Sequence, residues 1–384
     1  MNLAAALAAS CLVVLVAQLP AIQAVQACNG KCVPLGKCNR PVTMTNEDNA
    51  PPEVDLRIGQ ENSNIVSVCP HYLDVCCAPG QEIITGTGEG NPVRQDSNAG
   101  YDDFQPCGQR NTNGVGFRIG AGKMQESEFG EFPWTLLVLE LQSLYDFEEK
   151  EVYACVASLV APNVALTVAH CVSKNTPTTY IVRAGEWDIR TENEVLPNQD
   201  SKVKQVLIHD RYNNHHHFDV ALLVLEKPFR PADNVQIICL PPPGLRPPVG
   251  TECITGGWGK DRFGDDGTYQ EILKRVILPI VDSVQCEKAL QKTRLGLNFK
   301  LHNSFLCAGG KKDADVCSGD GGAALACLMP GSQTNYYQAG AVAWGIGCGN
   351  ENIPGAYADI EVTRSWIVSK LNALKVDPTY YTAS

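Results

Sequence analysis

The sequence predicts an all-β protein, either a sandwich or a pair of barrels, with a small disulfide-stapled module in front of it. From about Phe129 onward, short runs of β-branched and aliphatic residues recur between turn signals, as in "WTLLVLEL", "YACVASLV", "DVALLVLE" and "RVILPIV". Regular short strands of this kind are typical of β-sandwiches and barrels. Two stretches have helical spacing instead, "SVQCEKALQK" and the C-terminal "VTRSWIVSKLNAL". Residues 28–77 hold six cysteines, and a unit this small needs disulfides to be stable.

The N-terminus predicts export. The apolar run "LAAALAASCLVVLVAQL" is followed by the small residues of "AIQAVQA", which together indicate a secretory signal peptide over residues 1–27. A membrane anchor is the weaker interpretation, because the run is short and polar sequence follows it. We therefore expect a secreted, extracellular protein.

Cysteine usage and charge narrow the class further. Of the 17 cysteines, Cys11 lies in the signal peptide, which leaves an even number for an oxidised framework. A zinc site would need clustered thiolates with histidines nearby, and "CVPLGKC" offers none. The net charge of −11 argues against nucleic acid and against an anionic membrane surface as partners.

A linker separates the cysteine-rich module from the β-rich part. Residues 78–118 are rich in Gly, Asn, Pro and Asp and have no apolar periodicity, so they are expected to be exposed and open to proteolysis. The candidate processing sites are the basic residues Arg94, Arg110 and Arg118, together with Arg57 inside the module. We favour Arg94.

Three short segments of the β-rich part carry a resemblance to a known family. "LTVAHC" (166–171), "FDVALL" (218–223) and "CSGDGGAALAC" (317–327) resemble the histidine, aspartate and serine segments of chymotrypsin-type serine proteases, in the same chain order. "GEFPW" and "CITGGWG" also match, and the resemblance covers roughly residues 129–374. It implies a chymotrypsin-like double β-barrel with a C-terminal helix over residues 119–384.

The cysteine-rich module resembles an arthropod clip domain. "VDLRIG" before "CPHYLDVCC" is similar to clip-domain serine protease homologs, the non-catalytic relatives that act beside active proteases in haemolymph. The resemblance implies a cofactor that an upstream clip protease cleaves and that assists the activating protease of prophenoloxidase in melanisation. A microbe-binding or negative-regulatory decoy is the alternative, and oligomerisation after cleavage stays open.

Both resemblances also imply a disulfide pairing that uses every cysteine of the mature chain. For the six N-terminal cysteines, sequence alone leaves many connectivities open. The implied pairs are Cys28–Cys76, Cys32–Cys69, Cys38–Cys77, Cys107–Cys239, Cys155–Cys171, Cys253–Cys327, Cys286–Cys307 and Cys317–Cys348.

The implied active site lacks its nucleophile. His170 and Asp219 take the positions of the base and its orienting carboxylate, whereas Gly321 stands where the serine belongs. Loss of the nucleophile alone lowers turnover by about 10⁶-fold. Ser318 is a poor replacement because it lies three residues upstream, so we expect a pseudo-protease rather than an active trypsin-like endopeptidase. The segment after Arg118 is too long for the family pattern, so we also expect no new amine to pair with Asp320.

Residues of a specificity pocket are better preserved. Asp315 matches the carboxylate with which trypsin-like members bind Arg or Lys, and Gly345 and Gly355 match the glycines that keep such a pocket open. We expect an inherited pocket whose mouth is blocked, with docking of a basic side chain as the alternative.

Two weaker signals concern metal ions. The "HHH" stretch at residues 215–217 lies in a polar segment and is predicted to be a solvated loop. "GEWDIRTENE" is similar to the calcium loop of some family members, with Glu186 and Glu194 as carboxylate ligands, although an exposed acidic turn looks the same. We expect no other cofactor.

Overall fold

The structure is a computed structural model. It describes residues 31–34, 74–77, 104–115, 126–143, 149–174, 178–190, 194–261, 267–312 and 315–383. The chain divides into two units, one formed by residues 1–52 and 56–87 and the other by residues 53–55 and 88–384.

The first unit contains a two-stranded antiparallel sheet. Strand β1 (Lys31–Pro34) pairs with β2 (Asp74–Cys77), in a register that sets Cys32 opposite Cys76. The predicted signal peptide, Arg57 and the three predicted disulfides of this unit involve residues or side chains outside the described part. They remain predictions.

The second unit begins with a closed six-stranded antiparallel barrel. Its strands are joined in the order β3-β4-β5-β8-β7-β6. The central pair β5 and β8 is buried along its whole length, as expected for its continuous apolar sequences "VALT" and "ALLVL". The strand bounds are β3 Thr135–Ser143, β4 Glu149–Ala161, β5 Val164–Thr167, β6 Thr179–Ala184, β7 Gln199–Ile208 and β8 Ala221–Leu225.

A second closed barrel follows. Its strands are joined in the order β10-β11-β14-β13-β12-β9. Large aromatic side chains fill the interior of the unit, among them Trp134, Trp258, Tyr337 and Tyr357, all of them almost fully buried. The strand bounds are β9 Glu252–Thr255, β10 Val276–Val281, β11 Phe305–Gly309, β12 Ala324–Leu328, β13 Tyr336–Trp344 and β14 Pro354–Asp359.

Among the described residues, three α-helices and a 3-10 helix at Pro378–Tyr380 accompany the barrels; the α-helices are the single-turn α1 (Ala169–Val172), α2 (Ser283–Gln291) and the C-terminal α3 (Ile360–Ala373). Asp282 and Asp359 cap the N-termini of α2 and α3 by accepting hydrogen bonds from backbone N–H groups. Helix α3 buries one face through Ile360, Thr363, Ile367 and Leu371. The predicted all-β fold, a double barrel with a C-terminal helix, is confirmed. No helix among the described residues is long and apolar enough to cross a membrane.

Five disulfides brace the second unit. Each joins a pair that the resemblance implies, and two of them hold the segments that carry the candidate site. The pairs are Cys107–Cys239, Cys155–Cys171, Cys253–Cys327, Cys286–Cys307 and Cys317–Cys348.

Candidate functional site: a protease-like cleft

The histidine and the aspartate of the predicted triad are assembled. His170 lies in α1, directly after the buried strand β5, and Asp219 lies two residues before β8, fully buried. His170 Nδ1 is 2.7 Å from Asp219 Oδ2, and the His170 backbone N–H donates to Oδ1 at 2.8 Å. This double contact fixes the orientation of the imidazole, as a general base requires.

Gly321 faces this imidazole from the loop between β11 and β12. A Cβ atom built on Gly321 would lie 3.2 Å from His170 Nε2 and 3.3 Å from Cys171 Sγ. A serine here would therefore hold its hydroxyl against the histidine. Ser318 lies three residues before Gly321 in the same loop, and its carbonyl accepts the N–H of Lys260 at 2.8 Å. The neighbouring Gly322 adopts φ +85°, and a Cβ there would overlap the carbonyl oxygen of Val156.

The carboxylate of Asp320 anchors the same loop. It is buried and accepts hydrogen bonds from the N–H groups of Gly259 at 2.7 Å and Cys317 at 2.8 Å. Lys274 Nζ lies 3.6 Å from Asp320 Oδ2, and its side chain is only 8% exposed. The sequence predicts that Asp320 lacks a pairing amine, and this lysine, which sequence reasoning missed, supplies an internal cation. A basic residue in the apolar run "ILKRVILPI" is the signal that could have found it.

A pocket lies beside the histidine. A cavity of about 210 Å³ is lined by Asp315, Gly345 and Gly355 and continues to His170 and Gly321. A Cβ on Gly355 would lie 3.7 Å from Asp315 Oδ1, so a larger residue there would fill the pocket. The described residues leave the interior of the pocket unfilled, and the blocked mouth stays a prediction.

The Asp315 carboxylate is the acidic group that lines this pocket. It accepts hydrogen bonds from Val316 N–H at 2.9 Å and Gly349 N–H at 3.0 Å. Burial nevertheless raises the pKa of Asp315 to about 6, because the two hydrogen bonds offset only part of the desolvation. A cationic group entering the cavity would stabilise the ionised carboxylate.

The histidine-rich loop is only partly solvated. His215 is exposed as predicted, but the His216 ring packs edge-on against His170 with the ring centroids 5.3 Å apart. His217 stacks on His302 at a centroid distance of 3.8 Å. Burial lowers the pKa of His216, which favours its neutral imidazole. The prediction of a solvated loop is wrong for His216, because the loop folds back over the catalytic-type histidine.

The two predicted calcium ligands lie together. Glu186 and Glu194 share a side-chain hydrogen bond, and Glu194 also accepts the N–H groups of Trp187 at 3.2 Å and Asp188 at 2.8 Å. Burial raises the pKa of both carboxyls, that of Glu194 to about 8. Calcium prefers carboxylate oxygens, but these two glutamates form no group of three possible ligands with any other His, Cys, Asp or Glu that the structure describes. Arg183 Nη1, 3.6 Å from Glu186 Oε2, supplies one positive charge nearby.

One processing candidate is not exposed as predicted. The Arg110 guanidinium forms an ion pair with the buried Glu131, lies over the Phe132 ring and donates to the Tyr336 hydroxyl at 3.1 Å. Its side chain is 12% exposed, so it is held in the fold rather than offered to a protease. Arg94 and Arg118 lie outside the described residues.

Comparisons with known proteins agree with this geometry. The trypsin family model matches residues 122–367, and the model described as serine protease Clip domain PPAF-2 matches residues 21–78. Phenoloxidase-activating factor 2 of Galleria mellonella is 46% identical over 76% of this chain and 95% of its own length. Two relatives from Anopheles gambiae are named inactive CLIP domain-containing serine proteases. A8 is 33% identical over 90% of this chain and 89% of its own length, and A28 is 34% identical over 78% and 77%.

The fold, the assembled histidine–aspartate pair and these matches lead to the same assignment. Matches to relatives named inactive support a non-catalytic protein. The chain belongs to the trypsin family, within the clip-domain serine protease homologs of arthropods.

Proposed function

We propose that this protein is a secreted, non-catalytic cofactor in the haemolymph protease cascade that activates prophenoloxidase and leads to melanisation. An upstream clip protease cleaves it, and the processed protein then assists the activating protease at prophenoloxidase. The relatives named phenoloxidase-activating factors support the cascade, and those named inactive support the absence of catalysis.

The observation that carries this proposal is Gly321. It takes the nucleophile position against a histidine whose hydrogen bonds to Asp219 are intact. The base is in place, yet a residue without a side chain offers it no hydroxyl to deprotonate. The absence of that one group explains inactivity without any collapse of the cleft.

The cavity at Asp315 adds binding of a basic side chain to the proposed loss of catalysis. A buried carboxylate with a raised pKa gains stability when a cation enters, so the cavity favours an Arg or Lys side chain of a partner. With Gly321 beside it, the bound segment would be held without being cut.

We also propose that calcium binds at Glu186 and Glu194. Their carboxyl oxygens would act as ligands, and the ion would stabilise the loop between β6 and β7 structurally. The shared, partly buried pair of carboxyls supports this proposal.

A reconstituted reaction tests the cofactor function. Purified prophenoloxidase and its activating protease are mixed with and without the processed protein, and phenoloxidase activity is measured. We expect a large rise on addition, and an uncleaved sample serves as the control for processing. No change or a fall in activity would overturn the cofactor proposal and favour the decoy, for which binding to peptidoglycan or β-glucan would then be measured.

A further inference from the structure

His216 plays no part in the proposed function, yet the fold holds it in a strained position. It lies in the loop between β7 and β8 with φ 57°, in the left-handed region that non-glycine residues rarely adopt. Such strain persists where the surrounding structure maintains it, and it is concentrated at functional sites. Here the loop sets the His216 ring edge-on against His170, with centroids 5.3 Å apart.

The His216 ring also has an unsatisfied polar atom. Its Nδ1 is buried and has no hydrogen-bond partner among the residues that the structure describes. Buried polar atoms of native proteins are nearly always paired. An unpaired buried nitrogen therefore indicates that a group from outside the chain binds to the His216 ring.

Two imidazoles and a carboxylate converge at this point. One ring nitrogen each of His170 and His216 and one carboxylate oxygen of Asp219 all lie within 4.8 Å of one another. The imidazole nitrogen is a ligand that zinc accepts. Asp219 is also hydrogen-bonded to His170 Nδ1 at 2.7 Å, the carboxylate–histidine contact that orients imidazole ligands in metal sites.

Gly321 makes the site available. In a protease with serine at this position, the hydroxyl would compete for the histidine ring. Here a Cβ would lie 3.2 Å from His170 Nε2, and the glycine leaves that approach free of any side chain. The cleft from which a solvent-borne ion would arrive is the cavity lined by His170, Gly321 and Asp315.

We propose that His170, through Nε2, and His216 bind a divalent transition-metal cation such as Zn²⁺, while Asp219 orients the His170 ring through its hydrogen bond to Nδ1. Zinc bonds near 2 Å set two ligand atoms about 3.4 Å apart, so a small rotation of the partly exposed His216 ring brings its nitrogen within that distance of a His170 nitrogen. The remaining positions are open to water or to a ligand from a docked partner. The site is separate from the calcium proposal and goes beyond the cofactor function.

Zinc titration of the full-length protein by calorimetry tests the proposal. The variant is His216→Asn, because asparagine tolerates the left-handed backbone, and His215→Asn is its matched control on the same loop. We expect wild type and His215→Asn to bind one zinc ion at this site, and His216→Asn to lose more than about tenfold in affinity. Asp219→Asn is expected to weaken binding as well.

A second readout keeps the test independent of stability. Co²⁺ replaces the probe ion, and visible ligand-field bands of a tetrahedral site are expected in wild type and absent in His216→Asn. Zinc affinity unchanged in His216→Asn, or no zinc binding by wild type, would overturn the proposal. Loss of binding in His217→Asn alone would also overturn it, since that places the ion at the His217–His302 stack.

Discussion

Gly321 lies against an imidazole that keeps the orientation of a general base. The two hydrogen bonds from His170 to Asp219, at 2.7 and 2.8 Å, are those that a working triad needs. At the level of single residues, the histidine–aspartate pair is kept and the residue facing it has no side chain, so the surrounding groups remain available for binding.

A serine side chain at position 321 is predicted to restore some activity. We expect Gly321→Ser to gain turnover of a peptidyl-arginine anilide, because the new Cβ would lie 3.2 Å from His170 Nε2 and contacts of this length need shifts of only a few tenths of an ångström. The gain is expected to recover part of the roughly 10⁶-fold loss that a missing nucleophile causes. Gly321→Ala is the matched control, since it adds the Cβ without the hydroxyl. An inert serine variant that folds normally would contradict this account.

Asp315 predicts a pH-dependent affinity for cations. Burial raises its pKa to about 6, so the ionised form that binds an amidine becomes populated as the pH rises through that value. We expect the affinity for benzamidine to rise between about pH 5 and pH 7 and then to level off. Asp315→Asn should lose the binding, whereas Asp233→Asn, an exposed carboxylate elsewhere, should keep it. A pH-independent affinity would count against Asp315 as the binding group.

At the level of elements, two closed barrels hold the loops that form the cleft. The segment after β5 carries His170, the segment before β8 carries Asp219, and the loop between β11 and β12 carries Gly321. Disulfides fix two of these segments, Cys155–Cys171 at the histidine and Cys317–Cys348 at the loop of Gly321. The cleft thus keeps its form although Gly321 offers it no nucleophile.

From the glutamate pair in the loop between β6 and β7, we predict that the melting temperature depends on both pH and calcium. The folded-state pKa of Glu194 is about 8, above its ordinary value of 4.5, so its proton stabilises the fold at low pH. That contribution is lost as the pH rises from about 5 to 8, where the unfolded chain has already released the proton. We expect the melting temperature without calcium to fall across this range and added calcium to restore it. Glu194→Gln should flatten the pH dependence and abolish the calcium response; an unchanged response would contradict the prediction.

Lys274 pairs with Asp320 in the loop that carries Gly321, so we predict that it stabilises the folded protein. Removing one partner of a buried ion pair costs about 3–5 kcal/mol, because it leaves the other charge uncompensated. We expect Lys274→Met to lower the free energy of unfolding by an amount near the lower end of that range, since Asp320 retains two N–H donors. Lys300→Met, which removes the exposed pair with Glu287, is the control and should leave the free energy of unfolding almost unchanged. Equal effects of the two variants in urea unfolding would refute the assignment.

Apolar periodicity in the sequence predicted the strands and helices better than it predicted the side-chain contacts between them. The apolar runs correspond to strands, and the helical spacing of "SVQCEKALQK" corresponds to α2, Ser283–Gln291. Motif resemblance also placed His170, Asp219 and Gly321 in one cleft. The contacts of Lys274 with Asp320 and of His216 with His170 escaped prediction, because they join residues distant in sequence and carry no motif. Arg110 was misjudged for the same reason, since its partner Glu131 belongs to a different segment.

At the level of the whole molecule, covalent connectivity decides what processing would do. Cys107 is bonded to Cys239, so a cut after Arg110 or Arg118 would leave the preceding part of the chain joined to the barrels. Arg94 precedes Cys107 in the chain, and a cut there would leave no disulfide to the barrels if the clip cysteines pair among themselves as the resemblance implies. Non-reducing gels therefore distinguish a cut at Arg94, which releases a fragment, from a cut at Arg110 or Arg118, which does not.

The central claim is that the processed protein has a cleft that binds a basic side chain and does not cut it. Turnover of a peptidyl-arginine anilide by the processed protein tests this claim most directly. The account predicts no turnover above the background of a buffer blank, under conditions in which benzamidine binds. Turnover that disappears in a Ser318→Ala variant would contradict it, because it would identify a nucleophile other than the residue at position 321.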